Sequence, residues 1–279
     1  MKKTNIFLAF MPEFNAYGVS DETIDSLTAA GITPIISLKK EDMISLGAEP
    51  KSEKPLIGFL MCREKGHYTI DYNYAKAVVQ SGVNIRFLTY HNPDRQMSGI
   101  DGICLPGGAF DSPDSFYDDG QELYQPNIRY EAYEKVIRNA EEKGLPILAI
   151  CGGAQIVAGL HKMNLYRDVH QHTGLTHKTK EIMAHKVWIY PDTVLREILG
   201  QEQVITNSRH REAVNPNILS DLQIYAEASD GIPEAWGSEE KNILCIEWHP
   251  EDFAAKGDTR MQNIYNWLAD KAIAFRQNK

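Results

Sequence analysis

The chain has 279 residues, of which 43% are hydrophobic, so it can bury a sizeable core and is not expected to be disordered. Its net charge of -9 argues against a nucleic-acid binder, which usually presents a basic face. No apolar run is long enough to cross a bilayer, and the four cysteines are scattered without a CxxC motif, which favours a reducing compartment, the cytoplasm, over a disulfide framework.

The first 52 residues predict a strand–helix–strand extension packed on the main domain. "NIFLAF" (5–10) and "ITPIISL" (32–38) are typical of strands, and "SDETIDSLTAAG" (20–31) has the pattern of a helix that ends at a glycine. The lysines before the first run also suit a signal peptide, but that run is short and is interrupted by a proline, so we interpret it as a strand. "GAEPKSEKP" (47–55) is a predicted linker to the main domain, residues 53–279.

From residue 53 onward, predicted strands and helices alternate. The strands are "PLIGFLMC" (55–62), "NIRFLTY" (84–90), "DGICLPGG" (101–108) and "LPILAI" (145–150), and the helices cover 72–82, 126–144 and 153–160. Such alternation predicts an α/β fold with a mostly parallel sheet flanked by helices on both faces. In these sheets, loops at the carboxyl ends of the strands form the ligand site.

The part of the chain after residue 162 has a different pattern. Strand-like segments are separated by polar loops, and an amphipathic helix closes the chain. The strand segments are 182–190, 203–206, 222–228 and 242–248, and the closing helix covers 258–275.

The segment "AICGGAQ" (149–155) places Cys151 between a predicted strand and a predicted helix, with two glycines directly after it. This order is the sequence form of a nucleophile elbow, whose tight bend strains the backbone of the nucleophile. A helix N-terminus favours the thiolate, and the amide that follows the cysteine can face a developing oxyanion. A core cysteine beside a flexible turn is the alternative interpretation.

A cysteine nucleophile needs a base, and the base needs an orienting group. "NILCIEWHPEDF" (242–253) supplies His249 and Glu251 directly after another apolar strand. A lone His-Pro-Glu sequence is commonly an exposed turn, but both features at the ends of predicted strands favour a Cys–His–Glu triad.

Together, "PILAICGGAQ" and "CIEWHPE" resemble the class I glutamine amidotransferase family, which has a flavodoxin-like sandwich fold, and "DGICLPGG" resembles its glycine turn. More narrowly, the chain resembles the gamma-glutamyl-gamma-aminobutyrate hydrolase branch. The segments that carry this narrower resemblance are "YNYAKAVVQSG" (72–82), "PGGAFDSPDSFY" (106–117), "NSRHREAV" (207–214) and "DGIPEAW" (230–236).

The resemblance implies a cysteine hydrolase that releases glutamate and an amine from small gamma-glutamyl compounds. Cys151 would attack the gamma-carbonyl and form a thioester. His249 would take the thiol proton and later protonate the departing amine, and Glu251 would orient His249.

The same resemblance implies an oxyanion hole and a substrate site. The amides of Gly152 and of Gly107 or Gly108 would stabilise the tetrahedral oxyanion. Four further residues match positions that either line the substrate site of the family or support it: Gln155, Asn207, Ser208 and His210.

Three positions depart from the family pattern. Glu212 and Glu247 stand where the family has glutamine, and the turn after "PGG" is longer before its aspartate, Asp111. Two extra carboxylates near a site for an anionic substrate predict a preference for cationic or neutral leaving amines.

The segment "DVHQHTGLTHKTKEIMAH" (168–185) contains four histidines, and a His-x-His pattern can bind zinc. No nearby carboxylate or cysteine completes an obvious ligand set. We therefore expect a loop, with no metal and no other cofactor.

The expected partner is a small gamma-glutamyl substrate, without nucleic acid or membrane. Two other functions stay open: a glutaminase subunit that passes ammonia to a synthase partner, and a non-catalytic metabolite-binding member. The sequence also leaves open whether the chain forms a homodimer.

Overall fold

The computed structural model describes residues 2–48, 53–108, 111–217 and 220–279. The predicted linker at 47–55 and the boundary at residue 52 therefore lie partly outside the described residues, as do two residues of "PGGAFDSPDSFY". The division into an N-terminal extension and a catalytic domain stays a prediction.

The described strands and helices are numbered in chain order. The strands are β1 (Lys2–Phe7), β2 (Ala9–Met11), β3 (Ala16–Ser20), β4 (Ile32–Ser37), β5 (Leu56–Leu60), β6 (Cys62–Glu64), β7 (His67–Asp71), β8 (Asn84–Leu88), β9 (Gly102–Leu105), β10 (Ile147–Ile150), β11 (Leu165–Tyr166), β12 (His185–Ile189), β13 (Gln203–Thr206), β14 (Ala213–Val214), β15 (Gln223–Ala228), β16 (Pro233–Ser238) and β17 (Ile243–Ile246). The helices are α1 (Asp21–Ala29), α2 (Lys40–Ser45), α3 (Tyr72–Gln80), α4 (Pro93–Gln96), α5 (Ile128–Glu142), α6 (Gly152–Leu160), α7 (Val169–Thr173), α8 (Val194–Leu199), α9 (Glu251–Ala254) and α10 (Thr259–Gln277), with short 3-10 helices at Pro12–Phe14 and Asp114–Phe116.

Within the described residues, eleven strands form one mixed sheet in the order β1-β4-β8-β5-β9-β10-β17-β16-β15-β12-β13. The central strands β8, β5, β9, β10 and β17 are parallel, whereas β16, β15, β12 and β13 continue the sheet antiparallel. The predicted α/β fold with mainly parallel strands is confirmed.

Helices cover both faces of the central sheet. α5 and α6 contact each other and pack on β9 and β10, while α3, α9 and α10 form a second group that reaches β5, β8 and β9. The two central strands β10 and β17 are apolar, and every residue in them is buried, as expected for strands covered on both faces. This core fixes the strand ends that carry the candidate site.

Helix α5 shows how the local sequence sets its boundaries. The Asn127 side chain accepts a hydrogen bond from the Tyr130 amide 2.8 Å away, which caps the first turn. Tyr133, Val136 and Ile137 recur at helical spacing and are buried against the sheet.

The strands of the N-terminal region belong to two different sheets, which its sequence does not predict. The expected strand at 5–10 breaks at Leu8, which is fully buried, and the chain passes from one sheet to another. β1 pairs with β4 at the edge of the main sheet, whereas β2 joins a four-stranded sheet in the order β2-β3-β7-β6. The hairpin of β6 and β7, which the sequence pattern did not indicate, completes this second sheet.

No helix among the described residues is both long enough and apolar enough to span a membrane. The four cysteines are free thiols, and Cys104, Cys151 and Cys245 are buried.

Candidate active site

The candidate site lies where three neighbouring parallel strands end. β9, β10 and β17 are adjacent in the sheet and run in the same direction, so their carboxyl ends meet at one edge. Gly107 follows β9, Cys151 follows β10, and His249 follows β17. The sheet therefore brings together three segments that are far apart in the sequence.

Cys151 has the backbone conformation of a strained elbow. Its φ of 48° and ψ of -117° are rare for a residue with a side chain. The surrounding structure fixes this bend, because the Cys151 amide donates to the Ile246 carbonyl at 2.7 Å and its carbonyl accepts from the Gln155 amide at 2.9 Å. The cysteine is only 8% exposed, at the start of helix α6.

The backbone near Cys151 is so closely packed that two neighbouring positions require glycine. One is Gly152, which follows Cys151 in the chain, and the other is Gly107, which lies next to it in space. A Cβ at Gly152 would collide with the Gly108 carbonyl oxygen, and a Cβ at Gly107 would lie 2.9 Å from the Cys151 Cβ and 3.1 Å from the His249 Cε1. The same distances show that Cys151 and His249 both border Gly107, so the thiol and the imidazole are neighbours.

The imidazole of His249 is held by a buried carboxylate. Its Nδ1 lies 2.6 Å from Glu251 Oε1, and the hydroxyl of Tyr265 donates to the other oxygen of Glu251 at 3.2 Å. The Tyr74 hydroxyl lies 3.4 Å from the same Nδ1. With Nδ1 engaged on this side, Nε2 is left for the hydrogen bond between His249 and Cys151.

The side chain of Asn207 makes two hydrogen bonds to the backbone of His249. The His249 amide donates to Asn207 Oδ1 at 2.8 Å, and Asn207 Nδ2 donates to the His249 carbonyl at 3.0 Å. Asn207 Nδ2 also donates to Asp252 Oδ2 at 3.2 Å. Because Asn207 is fully buried, it fixes the position of the histidine without facing the cavity.

The environment of His249 favours its charged form. Burial lowers the pKa of His249, but the Glu251 carboxylate and a hydrogen bond with Cys151 outweigh burial and hold this pKa well above its ordinary value. An imidazole with a raised pKa accepts a thiol proton readily, which suits a nucleophilic cysteine.

The backbone amides of Gly107 and Gly152 differ in their hydrogen-bond partners. The Gly107 amide donates to the Tyr74 hydroxyl at 3.2 Å, and the Gly107 carbonyl accepts from Arg129 Nη2 at 2.9 Å. These bonds fix the turn against Cys151. The Gly152 amide lies in the first turn of α6, where amides have no partner within the helix.

A cavity of about 780 Å³ opens in front of these groups. Cys151, His249, Gly108, Gly152, Gln155 and His210 are among its lining residues. Asn207 and Ser208 are fully buried and are not part of this lining, and the Ser208 hydroxyl donates to the His177 carbonyl at 2.5 Å. The structure thus brings Gln155 and His210 to the cavity and sets Asn207 and Ser208 behind its wall.

The Peptidase C26 family profile matches residues 55–251. The chain belongs to the Peptidase C26 family. This family and the described geometry identify a glutamine amidotransferase-like hydrolase fold, and the profile spans every strand end that contributes to the candidate site.

Individual relatives agree with this assignment. A glutamine amidotransferase-like protein of Rickettsia prowazekii is 28% identical over an alignment that covers 71% of this chain and 92% of that protein. The gamma-glutamyl-gamma-aminobutyrate hydrolase PuuD of Escherichia coli is 26% identical, with 71% of this chain and 85% of that protein covered. A crystal structure described as a GMP synthase subunit from Thermoplasma acidophilum has a TM-score of 0.61 at 16% identity, covering 82% of this chain and 98% of that one, and it shows the same fold.

Glu247 and Glu212, the two carboxylates expected near the substrate site, occupy different environments. Glu247 is fully buried behind the cavity, where Gln155 Nε2 donates to it at 2.7 Å. Burial raises the pKa of Glu247 to about 7, although His210 opposes the shift. Glu212 lines the cavity and accepts a hydrogen bond from the Tyr117 hydroxyl at 2.7 Å. Only Glu212 of the two is therefore placed to face a ligand.

Four cationic side chains also line the cavity: Arg167, Lys178, Arg209 and Arg211. The three arginines pair with Asp114, Asp252 and Asp168, respectively. Within the described residues, the Lys178 ammonium has no ion-pair partner, which makes it the cation most available to an anionic ligand.

Three tyrosines around the candidate site were not predicted from the sequence. Tyr74, Tyr265 and Tyr117 bond to His249, Glu251 and Glu212 only because the helices and loops that carry them pack there. No local pattern distinguishes these tyrosines from ordinary core residues.

The expectation that no carboxylate completes the histidine-rich segment needs correction. Glu234, on strand β16, lies 3.1 Å from His177 Nδ1 and 3.3 Å from His185 Nε2. The expectation rested on neighbours along the chain, whereas the antiparallel part of the sheet brings this carboxylate from a distant position. These three residues form a set that could hold a metal ion.

Proposed function

We propose that the chain hydrolyses the gamma-glutamyl amide bond of small gamma-glutamyl compounds and releases glutamate and an amine. The observation that carries this proposal is the strained Cys151 beside His249, with Glu251 2.6 Å from the imidazole, at the edge of a large cavity. Membership of Peptidase C26 and the likeness to a gamma-glutamyl-gamma-aminobutyrate hydrolase support it.

In the first half of the reaction, the Cys151 sulfur attacks the gamma-carbonyl carbon and its proton moves to His249. The carbonyl oxygen becomes an oxyanion, which the amides of Gly152 and Gly108 stabilise. We assign this role to Gly108 rather than Gly107 because the Gly107 amide already donates to Tyr74. Collapse of the intermediate breaks the C–N bond, His249 protonates the leaving amine, and a thioester remains on Cys151.

In the second half, a water molecule attacks the thioester while His249 accepts a proton from it. The new tetrahedral intermediate uses the same two amides. Its collapse breaks the C–S bond, returns the proton to the Cys151 sulfur and releases glutamate. The Glu251 carboxylate stabilises the imidazolium that forms in each half.

The cavity offers a cationic and an anionic side chain to a glutamyl group, which carries a carboxylate and an ammonium group. Lys178 can pair with the alpha-carboxylate of the substrate, and Glu212 presents an acceptor to ammonium groups. Because Glu212 faces the cavity, we propose that cationic or neutral amines leave more readily than the anionic gamma-aminobutyrate. This part of the proposal fails if gamma-glutamyl-gamma-aminobutyrate is preferred over gamma-glutamyl-putrescine.

The first test measures glutamate release from a panel of gamma-glutamyl amides, glutamine included, by wild type, Cys151→Ala and Cys245→Ala. Wild type should turn over at least one amide, and Cys151→Ala should lose this activity. Cys245→Ala is the matched control, since it removes a fully buried thiol of β17 outside the cavity lining and should keep turnover.

Each other outcome has a definite meaning. Equal release by wild type and Cys151→Ala would exclude Cys151 as the nucleophile. Silence of the pure chain toward every amide would contradict a stand-alone hydrolase and favour a glutaminase that needs a synthase partner. The ranking of the amides names the leaving group.

A further inference from the structure

Three imidazoles converge on one carboxylate next to the cavity. Glu234 Oε1 lies 3.1 Å from His177 Nδ1, 3.3 Å from His185 Nε2 and 3.5 Å from His210 Nε2. His177 Nδ1 and His210 Nε2 are themselves only 3.2 Å apart. We call these four residues the histidine cluster.

Four separations within the histidine cluster are close to the edge of a coordination tetrahedron. Ligands about 2.0–2.1 Å from a tetrahedral zinc ion lie about 3.3 Å from one another. The four separations of the cluster fall between 3.1 and 3.5 Å. The ligand atoms of His177, His185 and Glu234 all lie within 4.8 Å of one another, and His210 joins this set through its contacts with His177 and Glu234.

The nitrogens that face away from the cluster are held as in known metal sites. His177 uses its Nε2 to bond Asp230 Oδ2 at 2.9 Å, and His210 uses its Nδ1 to bond the Glu212 carbonyl at 2.8 Å. Metal-binding histidines usually donate their second nitrogen to a carboxylate or a backbone carbonyl, which fixes the tautomer and the direction of the ring. Both rings therefore aim the other nitrogen at Glu234.

The cluster is buried and incompletely satisfied by hydrogen bonds. His177, His210 and Glu234 are at most 3% exposed. Within the described residues, Glu234 Oε2 has no hydrogen-bond partner, and His185 Nε2 has only its 3.3 Å contact with Glu234 Oε1. Buried polar atoms without partners are uncommon, and a bound ion is one way to satisfy them.

We propose that His177, His185, His210 and Glu234 form a tetrahedral site for a divalent transition metal, with Zn²⁺ as the fitting ion. Three imidazoles and one carboxylate are ligands that zinc accepts. All four coordination positions come from the protein, which is typical of a structural rather than a catalytic site.

Such an ion would join four separate parts of the fold. His177 lies in the loop after α7, His185 begins β12, Glu234 lies on β16, and His210 lies in the loop before β14. Since His210 also lines the candidate active site, the ion would stiffen that wall of the cavity without taking part in the reaction.

The test measures Zn²⁺ binding to the Cys151→Ala protein, because this variant lacks the thiol that would otherwise compete for the ion. Zinc content after dialysis should be one ion per chain, and Co²⁺ in its place should give the intense visible absorption of a tetrahedral centre. Glu234→Gln in the same background should lose the stoichiometric ion. His170→Gln is the matched control, since this exposed histidine belongs to the same sequence segment but not to the cluster, and it should retain the ion.

A milder variant covers the case in which Glu234→Gln does not fold. Asp230→Asn alters the partner of His177 and keeps an oxygen for the Ile232 amide, and it should weaken zinc binding about 10- to 100-fold, the usual effect of losing an outer-shell partner. Absence of stoichiometric zinc in the folded parent would overturn the proposal and leave a buried ion-pair cluster. Unchanged binding in both Glu234→Gln and Asp230→Asn would overturn it as well. Because the assay uses a chain without its nucleophile, its result is independent of the proposed hydrolase activity.

Discussion

A histidine with carboxylate partners lies at each end of helix α6, but the number of partners differs. At its start, Cys151 faces His249, which has a single carboxylate partner in Glu251 at 2.6 Å. At its end, His161 has two carboxylate partners, with Glu141 2.6 Å from Nε2 and Asp221 2.8 Å from Nδ1. His249 therefore keeps one nitrogen for chemistry, whereas both nitrogens of His161 are taken.

The size of a cavity does not separate these two ends. The cavity beside His161 has a volume of about 870 Å³, slightly more than the roughly 780 Å³ in front of Cys151. The cavity in front of Cys151 differs from the other in its strained cysteine and in a histidine that has only one nitrogen bonded to a carboxylate. Free ring nitrogens and backbone strain, rather than volume, therefore mark the cavity at Cys151 as the candidate site.

Replacing each histidine by glutamine tests this contrast most directly. His249→Gln should lower kcat/KM for the best gamma-glutamyl amide by about 10²–10⁴-fold, because it removes the general acid and base. His161→Gln is the matched control and should leave kcat/KM close to wild type. Steady-state kinetics of the two purified variants gives the comparison, and equal losses in both would contradict a special role for His249.

Removing the carboxylate partner of His249 should have a smaller effect on rate and a distinct effect on pH dependence. Glu251→Gln should lower kcat/KM on the order of 10²-fold, the typical cost of a misoriented catalytic group. Glu251 raises the pKa of His249 by favouring the imidazolium, so its loss lowers that pKa. The limb of the pH–kcat/KM profile that belongs to His249 should move to lower pH.

The control for this experiment is the profile of His161→Gln, which should coincide with that of wild type. A Glu251→Gln profile that is lower but not displaced would mean that Glu251 acts only through packing.

The smallest effect is expected on stability at the other end of α6. His161→Gln should lower the free energy of unfolding by about 1–3 kcal/mol at neutral pH, since it leaves two carboxylates without their shared partner. Burial lowers the pKa of His161, but the hydrogen bonds to Glu141 and Asp221 outweigh burial and raise it above 6.5. A raised histidine pKa stabilises the fold fully below the unfolded value and loses this effect as pH rises through the folded value.

The difference in unfolding free energy between wild type and His161→Gln should therefore shrink in alkaline solution. Denaturant titrations near pH ~6 and pH ~9, on either side of the expected transition, measure it. His170→Gln, at an exposed position, should differ little from wild type at either pH. A difference that grows with pH would show that the His161 contacts do not act as ion pairs.

The order of strands and helices around the site could be predicted because the signals are local. "LPILAI" and "NILCIEW" are apolar runs that end in a turn, so the positions of Cys151 and His249 at strand ends follow from the sequence. β16 was not predicted, since "PEAWGS" contains proline and glycine and few residues typical of strands. Its two neighbours in the sheet impose the extended conformation.

Contacts across the fold could not be predicted from local patterns. Glu234 and His177 meet only when β16 enters the antiparallel part of the sheet, and Tyr74 meets Gly107 only when α3 packs near the turn. The burial of Asn207 and Ser208 likewise depends on the loop before β14 folding under the cavity wall. Sequence patterns indicate elements and their ends, but they do not indicate which distant elements become neighbours.

The pairing of β10 with β17 also bears on how the chain folds. Ile147 lies opposite Ile243, so β10 can complete its pairing only after the much later segment β17 has folded beside it. Pairings between distant segments form slowly, because a long loop must close before any contact is gained. In a nascent or partly unfolded chain, Cys151 therefore lies apart from His249. The proposed chemistry requires the complete sheet.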